Sequence, residues 1–213
     1  MTHLLLARHA ETVWHQENRY AGRADIPLSA RGYEQAGELG KWAASAGLTA
    51  IWVSPLQRAR QTAEPSERAT GLTAVVDLRL QEVGYGKGEG LTRAELERLF
   101  PKELAAFEAD PAVHYLPGGE NPREATDRAL ACFEEIAHKN PDGRVLVVTH
   151  KTLIRLGLCA LMGVPLSRFR SIFPSIENSA LTEIRIAGRS AALLRFNAPV
   201  KSLADAAIDV DER

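Results

Sequence analysis

Five polar residues spread along the chain have the types that phosphoryl chemistry requires. They are two histidines, two arginines and one carboxylate: His9, His150, Arg8, Arg58 and Glu82. A neutral histidine can attack phosphorus, and a second histidine can stabilise charge on the phosphoryl oxygens. Guanidinium groups suit phosphate, and a carboxylic acid can protonate the leaving oxygen. Because cationic side chains neutralise the charge, this chemistry needs neither a metal nor a cofactor.

The apolar pattern predicts that these residues converge at one edge of a sheet. Arg8 and His9 follow an apolar run that predicts a buried strand, and His150 follows a second such run. Ligands of such sheets bind beyond the carboxyl ends of the strands, where helix N-termini also favour anions. Glu82 follows a third, shorter strand. We therefore expect an anion site at this edge.

Arg58 reaches the same edge through a predicted helix start. Ser54-Pro55 predicts a helix with the serine as its cap and the proline at the first helical position. Arg58 then lies in the first turn, close to the strand ends. Gly71 is expected to end this helix near Thr70.

The whole chain alternates predicted strands with predicted helices. This rhythm predicts an α/β fold: a three-layer sandwich with a mainly parallel central sheet, helices on both faces and an antiparallel edge. The strands are expected at His3–Ala7, Ala50–Val53, Ala74–Val76, Arg144–Thr149, Ala180–Ile186 and Ala191–Phe196, and the helices at Ala30–Ala46, Pro55–Thr70, Arg123–Lys139 and Lys151–Met162, with two short helices around Pro101. Smaller signals are a capping box from Thr92 to Glu95, a hairpin turn at Ala187–Ser190 and a place for Trp14 in the core or at its edge.

Composition excludes several classes of protein. The 213 residues include 26 Lys and Arg and 27 Asp and Glu, which gives a formal charge of −1 and no basic excess for nucleic acid. Apolar residues make up 45%, enough for a core. No apolar run spans a bilayer, and the first residues do not resemble a signal peptide. Cys132 and Cys159 suit neither a metal site nor a disulfide framework, so we expect buried thiols and a cytoplasmic location.

Arg8-His9-Ala10-Glu11-Thr12 resembles the Arg-His-Gly-Glu-Thr signature of the histidine phosphatase superfamily, also called the phosphoglycerate-mutase-like family. Further blocks follow in the family order and extend the likeness over roughly residues 3 to 186. They are Ile26 to Gly32, Ser54 to Ala63, Leu80 to Glu82, Glu89 to Thr92, Pro117 to Glu120 and Val147 to His150.

The resemblance implies a role for each of the five residues. His9 matches the nucleophile that becomes phosphohistidine, and Arg8, Arg58 and His150 match the rest of the phosphate pocket. Glu82 matches the proton donor, which then serves as the base for water, and Glu89 is its nearby rival.

Departures from the family pattern point to the substrate. The family usually has asparagine where His15 stands and glycine where Lys151 stands. These two residues add donors near the pocket mouth, so an anionic or strongly hydroxylated substrate fits. We expect His15, Ala21, Gly22 and Lys151 to bind the substrate, a small phosphorylated metabolite.

The segment after the acid favours hydrolysis over isomerisation. Mutases of this family resemble one another in a Glu-Arg-His-Tyr-type run and an Arg-Arg pair, whereas this chain has Glu82-Val83-Gly84-Tyr85 and no such pair between residues 84 and 122. Gly84 and Gly88 are expected to leave the site open to water. We therefore expect a phosphomonoesterase. The alternative is mutase-type phosphoryl transfer, with a cationic clamp from Lys87, Arg93 or Lys151.

Two further hypotheses belong to other classes. One is a metal-dependent hydrolase with His9, His15 and His150 as ligands, although their spacing matches no standard zinc motif. The other is a degenerate protein that binds phosphorylated partners without turning them over. All five chemical residues are present, which favours an enzyme.

The domain organisation is expected to be simple. One domain covers residues 1–200, an insertion at about 84–122 covers the site, and residues 201–213 form a C-terminal tail. No nucleic acid and no membrane is expected as a partner, and a homodimer is one option that the sequence leaves open.

Overall fold

The computed structural model describes residues 1–188 and 190–203. A six-stranded sheet lies at the centre of the described residues. Its strands are β1 (Thr2–Arg8), β2 (Ala50–Val53), β3 (Val75–Val76), β4 (Arg144–Thr149), β5 (Leu181–Ala187) and β6 (Ser190–Ala198). Their order is β3-β2-β4-β1-β5-β6. The first four strands are parallel, whereas β5 is antiparallel to β1 and to β6. The predicted mainly parallel sheet with an antiparallel edge is confirmed.

Helices cover both faces of the sheet, as predicted. They are α1 (Ala30–Ala43), α2 (Gln57–Thr70), α3 (Arg93–Leu99), α4 (Pro101–Ala109), α5 (Pro122–Lys139), α6 (Lys151–Leu161), α7 (Phe169–Ile172) and α8 (Val200–Leu203). In β1, Leu4 and Leu6 pack towards α5 and α6, and Leu5 and Ala7 pack towards α1 and α2. Because the sheet is covered on both sides, its central strands are almost continuously apolar.

The start of α2 differs from the prediction. The helix begins at Gln57, with Leu56 as its cap and no side-chain cap bond, so neither Ser54 nor Pro55 is helical. The Ser54 hydroxyl accepts only a long bond of 3.4 Å from the Leu56 amide and lies 2.7 Å from His150 Nε2, so the long-range partner outweighs the local capping preference. The predicted end is confirmed, since Gly71 adopts a φ of 74° after Thr70.

The stretch between residues 84 and 122 folds over one end of the sheet. Thr92 and Glu95 form the predicted capping box at the start of α3, and Pro101 begins α4. Leu96, Leu104, Phe107 and Leu116 form a small apolar cluster here, separate from the two larger clusters beside the sheet.

Two short elements between α6 and β5 were not predicted. They are a 3₁₀ turn (Leu166–Arg168) and α7, and helices this short leave no periodic signal in the sequence.

The two cysteines agree with the prediction. Cys132 and Cys159 are free and buried, as expected. Among the described helices, none combines the length and apolar character that a bilayer crossing requires.

The structure describes only part of the C-terminal region. Residues 200–203 form α8, and Val200 packs against the α1 side of the sheet. The rest of the expected tail, residues 204–213, lies outside the described residues. The same holds for Arg189, in the predicted hairpin turn.

Candidate active site

The two histidines meet because β1 and β4 are neighbouring parallel strands. Arg8 is paired with Thr149 at the carboxyl ends of these strands, and the next residues are His9 and His150. The His9 amide donates to the Thr149 carbonyl at 2.9 Å. The ring centroids of the two histidines are 5.2 Å apart. Sequence reasoning therefore placed both histidines at the correct edge.

His9 is held as a neutral base with one free ring nitrogen. Its Nδ1 donates to the Ala10 carbonyl at 2.7 Å, so the lone pair lies on Nε2. No hydrogen bond from the described residues reaches Nε2. Burial, with help from Arg58 and Arg8, holds the pKa of His9 well below its usual range. The ring lines a cavity of about 430 Å³, and a neutral imidazole with a free lone pair has the chemistry of a nucleophile at neutral pH.

His150 is fully buried and is oriented by Ser54. Its Nε2 lies 2.7 Å from the Ser54 hydroxyl, and its Nδ1 has no hydrogen-bond partner among the described residues. Burial and the charges of Arg58 and His9 hold the pKa of His150 well below its usual range. The His150 ring adjoins that of His9 but does not itself line the cavity.

Arg58 brings a fully buried positive charge to the site. Its two terminal nitrogens donate to the carbonyls of Ala24 (2.8 Å) and Gly22 (2.6 Å), and Nε has no partner among the described residues. Burial lowers the pKa of Arg58. A buried charge needs compensation, and no carboxylate of the described chain lies within ion-pair distance.

Arg8 is partly buried and also lacks a carboxylate partner in the described residues. Its side chain donates to the Ile176 carbonyl and to His15 Nε2, both at 2.7 Å. Its Nε is also without a partner in the described residues. Burial lowers the pKa of Arg8 to about 10. Two such guanidinium groups beside a neutral histidine suit a dianion.

Glu82 lies at the cavity and also caps α6. One carboxylate oxygen accepts from the amide of Leu153 (3.1 Å) and the other from that of Thr152 (3.1 Å). Helix N-termini were expected to favour an anion at this edge of the sheet. At the start of α6 that anion is the Glu82 carboxylate, so the amides of Thr152 and Leu153 are not free for a phosphate. The rival Glu89 does not line the cavity: its Oε1 accepts from the amides of Arg23 and Tyr85.

The four predicted substrate-binding residues, His15, Ala21, Gly22 and Lys151, all line the same cavity. Gly22 has a φ of 49°, and a Cβ there would lie 2.3 Å from Glu89 Oε1, so the position requires glycine. Trp14, Tyr20 and Tyr85 line the cavity as well. Trp14 was expected in the core or at its edge and instead forms part of this wall.

His15 orients Arg8 through its ring. Arg8 Nη2, which can only donate, lies 2.7 Å from His15 Nε2, so Nε2 accepts this hydrogen bond. In the neutral ring Nδ1 then carries the proton, and the Thr12 hydroxyl lies 2.8 Å from it as an acceptor. Burial and Arg8 lower the pKa of His15 to about 4, so the ring stays neutral.

Several positioning residues had no role in the sequence prediction. Asn178 donates to the His9 carbonyl at 2.8 Å, and Thr62 accepts from the Ala10 amide at 2.9 Å. Arg128, on α5, donates to the carbonyls of Arg79, Gln81 and Glu82 and so holds the turn that carries the acid. Each contact joins residues far apart in sequence, so no local pattern announces it.

The metal hypothesis has little support in the donor set. No cluster of three or more metal-binding side chains occurs in residues 1–188 and 190–203. Two guanidinium groups adjoin His9, and they would repel a cation placed there.

Known proteins resemble this chain over most of its length. The family model described as "Histidine phosphatase superfamily (branch 1)" matches residues 4–199. Phosphoserine phosphatase 1 of Hydrogenobacter thermophilus is 31% identical over 197 residues, 92% of each chain. "Probable phosphoglycerate mutase GpmB" of Salmonella typhi is 33% identical over 168 residues, 78% of this chain and 77% of that one.

A solved structure extends the likeness to the fold. The mycobacterial glucosyl-3-phosphoglycerate phosphatase superposes with a TM-score of 0.83 at 27% identity, over 92% of this chain and 98% of that chain. The family match covers nearly the whole chain and includes all five predicted chemical residues. This chain therefore belongs to the histidine phosphatase superfamily, branch 1.

Proposed function

We propose that this chain hydrolyses a small phosphorylated metabolite through a phosphohistidine formed on Nε2 of His9. Its family and its phosphatase relatives make it a phosphatase of small phosphorylated metabolites. The observation that carries the finer proposal is the pairing of a neutral histidine with two arginines, of which Arg58 is fully buried and Arg8 partly buried. His9 Nδ1 is bound to the Ala10 carbonyl, and Arg8 and Arg58 lack carboxylate partners in the described residues.

In the first step the substrate's phosphoryl group moves to His9. The Nε2 lone pair attacks phosphorus, the P–N bond forms and the P–O ester bond breaks. Arg8 and Arg58 stabilise the charge on the phosphoryl oxygens, and His150 donates to them from Nδ1. Protonated Glu82 transfers its proton to the leaving oxygen and becomes a carboxylate.

In the second step water releases the phosphate. The Glu82 carboxylate takes a proton from the attacking water, a new P–O bond forms and the P–N bond breaks. His9 and Glu82 thereby return to their starting states, and no metal enters the cycle.

His15 is proposed to bind the substrate indirectly, by orienting Arg8 towards the phosphoryl group. Its Nε2 accepts from Arg8 Nη2 at 2.7 Å, and the Thr12 hydroxyl lies 2.8 Å from its Nδ1. Ala21 and Gly22 form the floor, and the Gly22 carbonyl also orients Arg58.

Hydrolysis is favoured over mutase chemistry, with one correction to the reasoning from sequence. Gly88 does not open the site to water, because it packs inside the insertion, where a Cβ would lie 2.4 Å from Leu116. Gly84 lies beside Arg23 and Glu120 and does not line the cavity. Support for hydrolysis comes instead from the phosphatase relatives and from the lack of an Arg-Arg pair between residues 84 and 122.

The test is to incubate the enzyme with 3-phosphoglycerate and a trace of 2,3-bisphosphoglycerate, while phosphate and the isomers are followed together. Release of phosphate from 3-phosphoglycerate or from other metabolites in a screen is expected, without rapid equilibration of the isomers. Rapid formation of 2-phosphoglycerate without phosphate would favour the mutase instead.

The proposal extends to the whole chain. We propose one domain over residues 1–200, with an insertion at about 84–122, in the cytoplasm and without a nucleic-acid partner. The balanced charge and the two free, buried cysteines support this. A homodimer is one option for the assembly, which light scattering measures.

A further inference from the structure

The described part of the cavity wall carries five cationic side chains, and carboxylates neutralise only some of them. Arg19 forms ion pairs with Glu17 and Glu95, and Arg93 does so with two other glutamates. The other three cations, Arg8, Arg58 and Lys151, have no carboxylate within ion-pair distance in the described residues. The first two belong to the phosphoryl site, and Lys151 has no assigned partner.

Lys151 occupies an unfavourable place for a cation. It is the first residue of α6, where the positive end of the helix dipole lies. The residue is half-buried, and its ammonium group forms no hydrogen bond with the described residues. Burial and the nearby charges of Arg155 and Arg8 lower the pKa of Lys151 to about 8. A cation at this place needs an anion from outside the chain.

The two carboxylates whose charges act on Lys151, Glu177 and Glu82, do not supply that anion. Neither lies within ion-pair distance of Lys151. Glu177 accepts from the Ser175 hydroxyl, and Glu82 is already bound to the amides of Thr152 and Leu153. Because the amides of Thr152 and Leu153 already donate to Glu82, an anion that enters the cavity can bind the Lys151 ammonium group but not these two amides.

We infer that Lys151 binds a carboxylate on the substrate, apart from the phosphoryl group that His9 receives. The inference rests on the proposed function and names its substrate class: phosphomonoesters of small carboxylic acids. Arg8 and Arg58 already supply two positive charges for the phosphoryl dianion, so the third charge is left for a further anion. A lone ammonium carries one positive charge and so matches a monoanionic carboxylate, whereas a second phosphate would bring close to two negative charges.

The experiment compares kcat/KM within matched pairs of substrates. 3-Phosphoglycerate and glycerol 3-phosphate differ by a carboxylate in place of a hydroxymethyl group, and phosphoserine and phosphoethanolamine differ by a carboxylate in place of hydrogen. Fructose 1,6-bisphosphate and fructose 6-phosphate test a second phosphate. The variants are Lys151→Met, which removes the charge, and Lys151→Arg, which keeps it. Lys87→Met is the control, since Lys87 is exposed and does not line the cavity.

The wild type should favour the carboxylate member of at least one pair by about tenfold or more, the effect expected of one charge-assisted hydrogen bond. Lys151→Met should bring that ratio close to one, Lys151→Arg should restore part of it, and Lys87→Met should leave it unchanged. A ratio cancels any general damage to the fold, so a purely structural role would not move it.

Other results would overturn the inference. If Lys151→Met slows both members equally and weakens inhibition by inorganic phosphate by the same factor, then Lys151 contacts the transferred phosphoryl group. A wild-type preference for the bisphosphate alone would mean that the second anion is a phosphate. Equal kcat/KM within every pair would contradict the carboxylate site but not the phosphatase activity. A lack of phosphate release from every ester would contradict the proposed function itself.

Discussion

Glu82 has two tasks at the residue scale, because one carboxylate both caps α6 and lines the cavity. Its oxygens accept from the amides of Thr152 and Leu153, and these bonds fix the position of the side chain. No arginine or lysine of the described residues lies within ion-pair distance of it. The backbone of the same turn is held from behind by Arg128. A proton donor needs this kind of fixed position, since misplacement by about 1 Å can cost a hundredfold in rate.

Glu82→Gln should slow alkyl phosphates by about a hundredfold or more, because their poor leaving groups depend on the proton. Aryl phosphates with good leaving groups should be affected less in the phosphorylation step, which a stopped-flow series of esters measures. Glu89→Gln is the matched control, since Glu89 does not itself line the cavity and glutamine keeps the oxygen that accepts from the amides of Arg23 and Tyr85. Alkyl phosphatase activity equal to that of the wild type in Glu82→Gln would rule out this role.

At the scale of elements, α1 supports the loop that follows His9. The Glu11 amide donates to Gln35 at 2.8 Å, and the Glu11 carbonyl accepts from the Ser29 amide at 3.0 Å. Gly32 lets the helix approach this closely, because a Cβ there would lie 2.0 Å from the Glu11 carbonyl oxygen. Gly37, in the same helix, has open space around the corresponding position.

Gly32→Ala should lower the free energy of unfolding by about 1–3 kcal/mol, because backbone has to move, and should lower kcat/KM by displacing the loop beside His9. Gly37→Ala should raise the free energy of unfolding by about 0.5–1 kcal/mol through helix propensity, with activity unchanged. Urea denaturation with a phosphatase assay measures both. Equal stability of the two variants would contradict the packing described for α1.

Sequence patterns predict some elements better than others for physical reasons. The runs of β1 and β4 are apolar throughout because the sheet is covered on both faces, and polar residues mark their ends clearly. The start of α2 is harder to predict, since the local capping preference of Ser54 loses to a contact with His150, 96 residues away. The prediction for Gly88 was wrong for another reason. A glycine in the sequence was interpreted as open space, whereas the structure packs Gly88 against the side chain of Leu116.

At the scale of the whole molecule, the charge is balanced overall and unbalanced at the site. The formal net charge is −1, yet Arg8, Arg58 and Lys151 share one cavity without carboxylate partners in the described residues. Such a concentration of positive charge attracts an anion and fixes its position before reaction. The sequence predicted which five residues converge, because all of them follow or adjoin strand ends. It could not predict their hydrogen-bond partners, such as Asn178, which join distant parts of the chain.

Trapping the phosphorylated enzyme tests the central claim most directly. Rapid quenching of the enzyme with a radiolabelled phosphomonoester should yield a protein-bound phosphoryl group that is labile in acid and stable in base, as a phosphohistidine is. Mass spectrometry should locate it on His9, and His9→Ala should abolish it. An acid-stable label, or a label that persists in His9→Ala, would contradict the assignment of His9 as the nucleophile.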